Sequence, residues 1–205
     1  MLGGCLNIRQ LFFFIKVVLE VFYKCKFYYI NSMKIRTADY SDLDSIMKIE
    51  KASFILPIQE EREVFENRIK FCSESFLVFE DDNKNVFGYL SAERMSKVPE
   101  KANELALGHF PKKNSDGNVL YISSFAILPE YRGNGSGYYL WEESLNYLMG
   151  IHGIKTFVLL VNENWVGAHH IYEKSGFSEM CRLPSFFCAG DNSFTDGILM
   201  QKKLF

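Results

Sequence analysis

The chain has 205 residues, of which 48% are hydrophobic and 23% are charged. This length suits one domain with a complete core, and the composition is ordinary for a soluble globular protein, which excludes an intrinsically disordered chain. The formal net charge of −2 argues against nucleic acid as a partner, because proteins that bind nucleic acid carry a basic stripe.

Residues 1–32 differ in composition from the rest of the chain. The stretch over residues 11–30 is rich in Phe, Tyr and Val, and the segment has a formal charge of +3, which leaves −5 for the remainder. Charged residues, among them Lys16, Glu20 and Lys24, interrupt the apolar run, so a membrane-spanning helix is disfavoured. A signal peptide is disfavoured for the same reason.

In a helix, Lys16, Glu20 and Lys24 would form a narrow polar stripe on an otherwise apolar surface. We expect such a helix to be covered by the domain, by a second subunit in a homodimer, or by a membrane surface. The alternative is that Met33 is the biological start and the extension is not native. The chain is therefore divided into a hydrophobic extension, residues 1–32, and a domain, residues 33–205.

The first half of the domain predicts a strand, two helices and a strand hairpin. Residues 34–37 read as a strand, and Ser41 or Asp42 can cap a helix that ends near Ser53. The elements that follow are a helix over residues 60–71 and strands over residues 76–80 and 86–94, which are joined by a polar turn.

The second half begins with a polar, irregular loop over residues 97–118, a length that is often functional. The predicted elements after it are a strand over 121–128, a glycine-rich turn, a helix over 138–149, a buried strand over 156–161, a helix over 166–174, and strands over 177–188 and 197–204.

The glycine-rich turn reads Arg132-Gly133-Asn134-Gly135-Ser136-Gly137. Glycines permit positive φ angles, so successive N–H groups can converge at the start of the next helix and bind a pyrophosphate, with Arg132 as a further donor. A nucleotide P-loop is excluded, because Tyr138 stands where that loop needs Lys. The late position of the motif disfavours a dinucleotide fingerprint. A plain glycine-rich turn is the remaining alternative.

Two segments carry a resemblance to a known family. The stretch Phe125–Gly137, with its Arg-x-x-Gly-x-Gly pattern, strongly resembles motif A of the GNAT N-acetyltransferases, and Val161–Phe177 resembles their motif B. The resemblance implies an α/β GNAT fold, with a mixed central sheet of about six to seven strands flanked by helices and, here, an extra N-terminal helix. It also implies acetyl-CoA as the cosubstrate and an enzyme that transfers its acetyl group to an amine.

The resemblance also assigns the residues that bind acetyl-CoA. In motif B, Trp165 stands where the family has Asn, so the polar contact to the pantetheine arm falls to Asn162 or Asn164. Tyr172 matches the family's tyrosine and would give a proton to the departing CoA thiolate. The expected cosubstrate-binding residues are Phe125, Ala126, Ile127, Arg132, Gly133, Asn134, Gly135, Ser136, Gly137, Asn162, Asn164, Ala168 and Tyr172.

The general base is the open question of the site. Stretches over residues 52–54, 63–69 and 75–78 resemble the serotonin (arylalkylamine) N-acetyltransferase branch, whose vertebrate members relay a proton through two histidines. Tyr121 and Ser123 occupy those positions here, so that relay cannot operate. The amine would lose its proton directly or through water; His109 in the loop is an alternative base, and Glu93 is a weaker one. A backbone N–H near Phe125 would polarise the thioester carbonyl.

The resemblance implies a primary-amine acceptor, either a small (aryl)alkylamine or a polyamine-like molecule. Two alternatives stay open: acetylation of protein N-termini, and a regulatory module that binds CoA without turnover. The sequence itself does not name the acceptor.

The cysteines indicate a reducing compartment. The chain has five, which are scattered and lack a Cys-x-x-Cys pair, so we predict free thiols in a cytoplasmic protein. His169 and His170 have no second ligand at metal spacing, and no metal site is predicted.

Overall fold

The computed structural model describes residues 33–99, 105, 116–133, 135–190 and 193–204, and these contain one mixed sheet of seven strands. The strands are β1 (Lys34–Thr37), β2 (Phe76–Glu80), β3 (Val86–Met95), β4 (Val119–Ile127), β5 (Thr156–Asn162), β6 (Ser178–Cys188) and β7 (Phe194–Lys203). Their order across the sheet is β1-β2-β3-β4-β5-β7-β6. The predicted mixed α/β fold is confirmed.

Four α-helices lie in the same part of the chain. They are α1 (Leu43–Ser53), α2 (Arg62–Phe71), α3 (Ser136–Met149) and α4 (Val166–Lys174). The first begins differently from the prediction: the capping side chain is that of Asp39, which accepts the amide of Ser41, while the Asp42 carboxylate accepts the amide of Asp39. The cap therefore precedes a short 3-10 turn, Tyr40–Asp42, that leads into α1.

The N-terminal extension, residues 1–32, lies outside the described residues. Its helix, its homodimer or membrane-surface contact and the division at Met33 therefore stay predictions. Within the described part, no helix is long and apolar enough to cross a membrane.

The central strands of the sheet pair over a short length. Neighbouring strands are antiparallel except β4 and β5, which run parallel and are connected through α3. The parallel pairing covers Val119–Ile122 against Thr156–Leu159 and stops there. Beyond Ile122, β4 stays paired with β3 and β5 stays paired with β7, so the two central strands diverge.

A β-bulge lies at the point of divergence. Ser91 of β3 is opposite Ser124, and the next residue, Ala92, is opposite Ile122, so Ser123 is an extra residue on β4. A bulge bends its strand and re-aims the neighbouring side chains. Its position directly after the last β4–β5 pair explains why the opening between these strands begins at Ser123.

The core covers both faces of the sheet. Successive side chains of a strand point to opposite faces, and on β2 both Phe76 and Phe79 are fully buried. On one face Phe65 of α2 packs against Phe76, with ring centroids 6.2 Å apart. On the other, Phe125 of β4 packs edge-on against Trp141 of α3, with centroids 5.3 Å apart. Helices therefore pack on both faces of the sheet.

Candidate active site

The glycine-rich turn between β4 and α3 has the backbone that the sequence predicts. Gly133 and Gly135 have φ angles of 86° and 82°, in the left-handed region that favours glycine. Gly135 is the N-cap of α3, so the turn ends at the positive end of a 14-residue helix. Asn134 lies outside the described residues. This geometry is suited to binding an anion at the helix N-terminus.

Ser136 holds the turn closed from within. Its amide donates to the Gly133 carbonyl oxygen at 3.0 Å, and its hydroxyl lies 2.6 Å from the Tyr131 carbonyl oxygen and 2.9 Å from that of Gly133. The side chain is fully buried. We infer that Ser136 shapes the turn, while Gly135 and Gly137, which line the adjacent cavity, are placed to offer amides to a ligand.

Arg132 spans from the end of β4 to the end of α1. Its Nε donates to the Ile127 carbonyl oxygen at 2.6 Å, and one Nη donates to the Ser53 hydroxyl at 3.0 Å. A guanidinium has five N–H groups, so donors remain after these two bonds. The side chain is therefore held at the cavity edge with N–H groups left for an anion.

The divergence of β4 from β5 opens a cavity of about 680 Å³. Its wall includes Phe125, Ala126 and Ile127, the three β4 residues that were predicted to bind acetyl-CoA. Among the described residues, their strand edge toward β5 has no strand partner, because the β4–β5 pairing ends at Ile122. Backbone groups along such an edge can pair with an extended ligand as they would with another strand.

The rest of the cavity wall is mainly apolar. Around the strands and the glycine turn it contains the aromatic and aliphatic side chains of Phe54, Ile58, Leu105, Leu160, Trp165, Ile171, Phe186 and Phe187. Trp165 packs against Phe54, with centroids 5.7 Å apart, and against Phe187, with centroids 5.5 Å apart. These three rings, which we call the aromatic clamp, join the end of α1, the start of α4 and β6.

The two asparagines of motif B do not lie in the cavity wall. The Asn162 side chain accepts the Asn164 amide at 2.9 Å and so stabilises the turn from β5 into α4. Trp165 and Ala168 do line the cavity. The predicted pantetheine contact of Asn162 or Asn164 stays a prediction, and the position where the family has Asn contributes an aromatic wall.

Tyr172 lines the cavity from α4 and is 9% exposed. Its ring packs against Trp141, with centroids 4.5 Å apart, and against Phe177. Within the described part of the chain no residue hydrogen-bonds its hydroxyl. Burial raises the pKa of Tyr172 above its ordinary value, so the side chain stays a neutral hydroxyl that can donate. This placement suits the proton donor that the resemblance implies.

Of the other three catalytic candidates, two lie in the cavity wall and one lies outside the described residues. Tyr121 and Ser123 both line the cavity, and the Ser123 hydroxyl lies 3.2 Å from the Ser91 carbonyl oxygen. Burial, and next the charge of Glu93, raises the pKa of Tyr121, so this phenol is a poor base. His109 lies outside the described residues, and its role stays a prediction.

Glu50 is a candidate functional residue that the sequence interpretation did not include. It lies in the last turn of α1, is 1% exposed and lines the cavity. One carboxylate oxygen accepts the Glu60 amide at 2.9 Å, and the other accepts the hydroxyl of Tyr89. The Tyr89 oxygen also lies 3.0 Å from the Ser124 hydroxyl oxygen. Three groups from α1, β3 and β4 are therefore hydrogen-bonded in series.

The surroundings of Glu50 make it a weak acid. Burial raises the pKa of its carboxyl to about 7, against the opposing effect of the Tyr89 and Glu60 hydrogen bonds. The charge of Glu60 raises this pKa further, and that of Arg68 lowers it. Glu60 and Arg68 form a buried ion pair with each other, so their opposite charges largely cancel at Glu50. A carboxyl that titrates near neutrality is well matched to proton transfer.

The spacing of buried residues along α1 is the sequence signal that indicates Glu50. Leu43, Ile46 and Ile49 are the buried apolar residues of α1, and Glu50 stands four residues after Ile46 on the same face. An acidic residue at a position that the pattern assigns to the core is either paired or functional.

In the part of the chain that the structure describes, no group of three His, Cys, Asp or Glu side chains is placed to hold an ion. His169 lies 3.6 Å from Glu173 on the same helix, a local ion-pair geometry.

Comparisons with known proteins agree with this geometry. Residues 43–177, which include α1, the glycine turn and motif B, match the model of the acetyltransferase (GNAT) family. An N-alpha-acetyltransferase from Sulfurisphaera tokodaii is 27% identical over 161 residues, which cover 78% of this chain and 89% of that protein.

Solved structures share the fold at low sequence identity. The loading GNATL domain of CurA from Lyngbya majuscula has a TM-score of 0.70 at 18% identity, over 83% of this chain and 97% of the domain. Arabidopsis thaliana Naa50, in complex with a bisubstrate analogue, has a TM-score of 0.64 at 17% identity, over 84% of this chain and 99% of that one. The chain belongs to the acetyltransferase (GNAT) family and is an acetyl-CoA-dependent N-acetyltransferase.

Proposed function

We propose that this enzyme acetylates the primary amine of a small molecule whose body is apolar or aromatic. The observation that carries the proposal is the cavity wall, in which the aromatic clamp of Phe54, Trp165 and Phe187 lies together with the Glu50 carboxyl. Aromatic rings suit an apolar body and stabilise a nearby cation, and a carboxylate binds an ammonium group.

The same wall favours one ammonium group over several. A polyamine needs a carboxylate for each of its charges. Among the residues that the structure describes, two carboxyl groups line the cavity, those of Glu50 and Glu60, and Glu60 is already paired with the buried Arg68. This leaves Glu50 as the carboxyl whose charge balances one ammonium group near it, which supports an (aryl)alkylamine over a polyamine-like acceptor.

In the proposed reaction the acetyl-CoA pyrophosphate lies on the glycine turn, with Arg132 as an additional donor. The pantetheine arm runs along the open edge of β4 at Phe125–Ile127, where a backbone N–H polarises the thioester carbonyl. The neutral amine attacks that carbonyl carbon, and the tetrahedral intermediate then expels the CoA thiolate. Tyr172 gives the thiolate a proton, and the resulting phenolate takes up the proton that the new amide nitrogen loses.

A second candidate is the acetylation of protein N-termini. The Sulfurisphaera tokodaii relative, described as an N-alpha-acetyltransferase, supports it. An N-terminal α-amine is also a primary amine, and the chemistry at the thioester would be the same. The two candidates differ in what the apolar part of the cavity must receive: a whole small molecule or the first side chain of a peptide.

One experiment tests both candidates and the binding module without turnover. Purified protein is incubated with acetyl-CoA and, separately, with arylalkylamines, aliphatic amines, spermidine and short peptides, and thiol release is followed. We expect the highest kcat/KM with an arylalkylamine. Higher values with peptides would favour the second candidate, and no thiol release with any amine would leave only a CoA-binding module.

A further inference from the structure

The hydrogen-bonded series of Ser124, Tyr89 and Glu50 passes behind the cavity wall. Ser124 and Glu50 line the cavity, whereas Tyr89 is fully buried between them. Each member comes from a different element: Glu50 from α1, Tyr89 from β3 and Ser124 from β4. We propose that this series is a proton relay, in which Ser124 takes the proton of the acceptor's ammonium group and Glu50 finally holds it. The inference rests on the proposed function, because it requires an amine acceptor.

When Glu50 is ionised, the hydrogen bonds of the series can be donated in only one direction, from Ser124 to Tyr89 and from Tyr89 to Glu50. A carboxylate oxygen can only accept, so the Tyr89 hydroxyl must give its single hydrogen to Glu50. The Tyr89 oxygen is then the acceptor of the Ser124 hydroxyl, 3.0 Å away. The Ser124 oxygen keeps a lone pair for a donor in the cavity. An ammonium group is such a donor.

The transfer moves each proton by one position. The ammonium N–H bond breaks and its proton binds the Ser124 oxygen, the former Ser124 proton binds the Tyr89 oxygen, and the former Tyr89 proton binds the Glu50 carboxylate. The products are a neutral amine and a protonated Glu50, so charge and protons balance. Glu50 later returns its proton to solvent through the same series, and the net acetylation releases one proton.

The groups that face Glu50 favour this role. They are Tyr89 from β3, Glu60 from the connection between α1 and α2, and Arg68 from α2. Burial also raises the pKa of Tyr89 well above its ordinary value, so Tyr89 passes a proton on and does not remain a phenolate. The pKa of Glu50, about 7, lets the carboxylate accept a proton near neutral pH and release it again.

The bulge at Ser123 is what brings Ser124 to the relay. It places Ser124 opposite Ser91 on the face of β4 that α1 covers, next to the Tyr89 hydroxyl. This position is one residue beyond Ser123, where the resemblance places a catalytic histidine. The relay therefore supplies the proton acceptor that the chain lacks at Tyr121 and Ser123.

The test compares two acceptors that differ in basicity and hardly in shape. 2-Phenylethylamine is an ammonium ion at neutral pH and needs a base. In 2,2-difluoro-2-phenylethylamine, two fluorine atoms on the carbon next to the one that bears the nitrogen make the amine far less basic. For Glu50→Gln, Tyr89→Phe and Ser124→Ala we expect kcat/KM on 2-phenylethylamine to fall by about 100-fold or more, the usual contribution of a positioned base. On the difluoro amine the loss should stay within a few fold. Wild type should show a rise in kcat/KM near pH 7 that Glu50→Gln lacks.

Two control variants are measured together with Glu50→Gln, Tyr89→Phe and Ser124→Ala. Tyr147→Phe and Glu130→Gln make the same chemical changes at exposed positions and should match wild type with both amines. If the three variants lose activity equally on both amines, the residues are structural and the relay is refuted. Normal activity of Ser124→Ala on 2-phenylethylamine would also refute it. Wild type that acetylates neither amine would overturn the proposed function, and the relay with it.

Discussion

Replacing Glu50 by Gln should change how the stability of the protein depends on pH. Burial raises the pKa of Glu50 to about 7 from its ordinary value of 4.5, so the folded protein binds this proton more tightly than the unfolded chain does. The resulting stabilisation is complete below pH 4.5 and is lost as pH rises through about 7. The full difference is roughly 3 kcal/mol, since each pKa unit corresponds to about 1.4 kcal/mol.

Gln keeps the shape of Glu50 and can still accept the Glu60 amide, but it has no proton to lose. Between pH 5 and pH 9 the wild type should therefore lose roughly 2–3 kcal/mol of unfolding free energy relative to Glu50→Gln. Urea titrations of both proteins at several pH values measure this difference. Glu130→Gln, at an exposed position, is the matched control. Parallel stability curves for wild type and Glu50→Gln would refute the reasoning.

Three further predictions concern the rest of the molecule. Tyr172→Phe should keep the packing on Trp141 and the affinity for acetyl-CoA but lower kcat by roughly 100-fold; a normal single-turnover rate would contradict the proton-donor role. Gly135→Glu and Gly135→Gln both strain a backbone with φ of 82°. We expect Gly135→Glu to lose more CoA affinity, measured by calorimetry, because only its side chain carries a negative charge at the anion site. Equal losses in the two variants would argue against an anion site. Removal of residues 1–32 should leave a folded, active domain, since all seven strands of the described sheet lie after residue 33; an insoluble product would show that the extension is needed.

The order of elements and the glycine turn could be predicted because their signals are local. Gly133 and Gly135 adopt the positive φ angles that glycine permits, and the apolar pattern of α1 is periodic. The spacing of the apolar residues predicts a helix, but it does not indicate which residues of that helix line a cavity. The family resemblance concerns the positions of Tyr121 and Ser123 and gives no signal for the carboxyl of Glu50, which lies on a neighbouring element.

The parts that escaped prediction depend on contacts between distant residues. The Tyr89–Ser124 bond joins positions 35 residues apart, and it depends on a register shift that no single strand pattern reveals. Ser136 is a second example. Its amide and its hydroxyl both bond within the turn, and its predicted contact with the cosubstrate stays a prediction. Whether a polar group is free for a ligand is decided by its neighbours in three dimensions.

The short pairing of β4 with β5 has a consequence for cooperativity. The sheet is held in its middle by four residue pairs, so β1–β4 and β5–β7–β6 are two half-sheets with a narrow joint. A ligand that fills the opening touches both halves and acts as an additional strand between them. Amide hydrogen exchange along Ser123–Ile127 should slow when CoA binds, and the two halves should then open together and no longer separately.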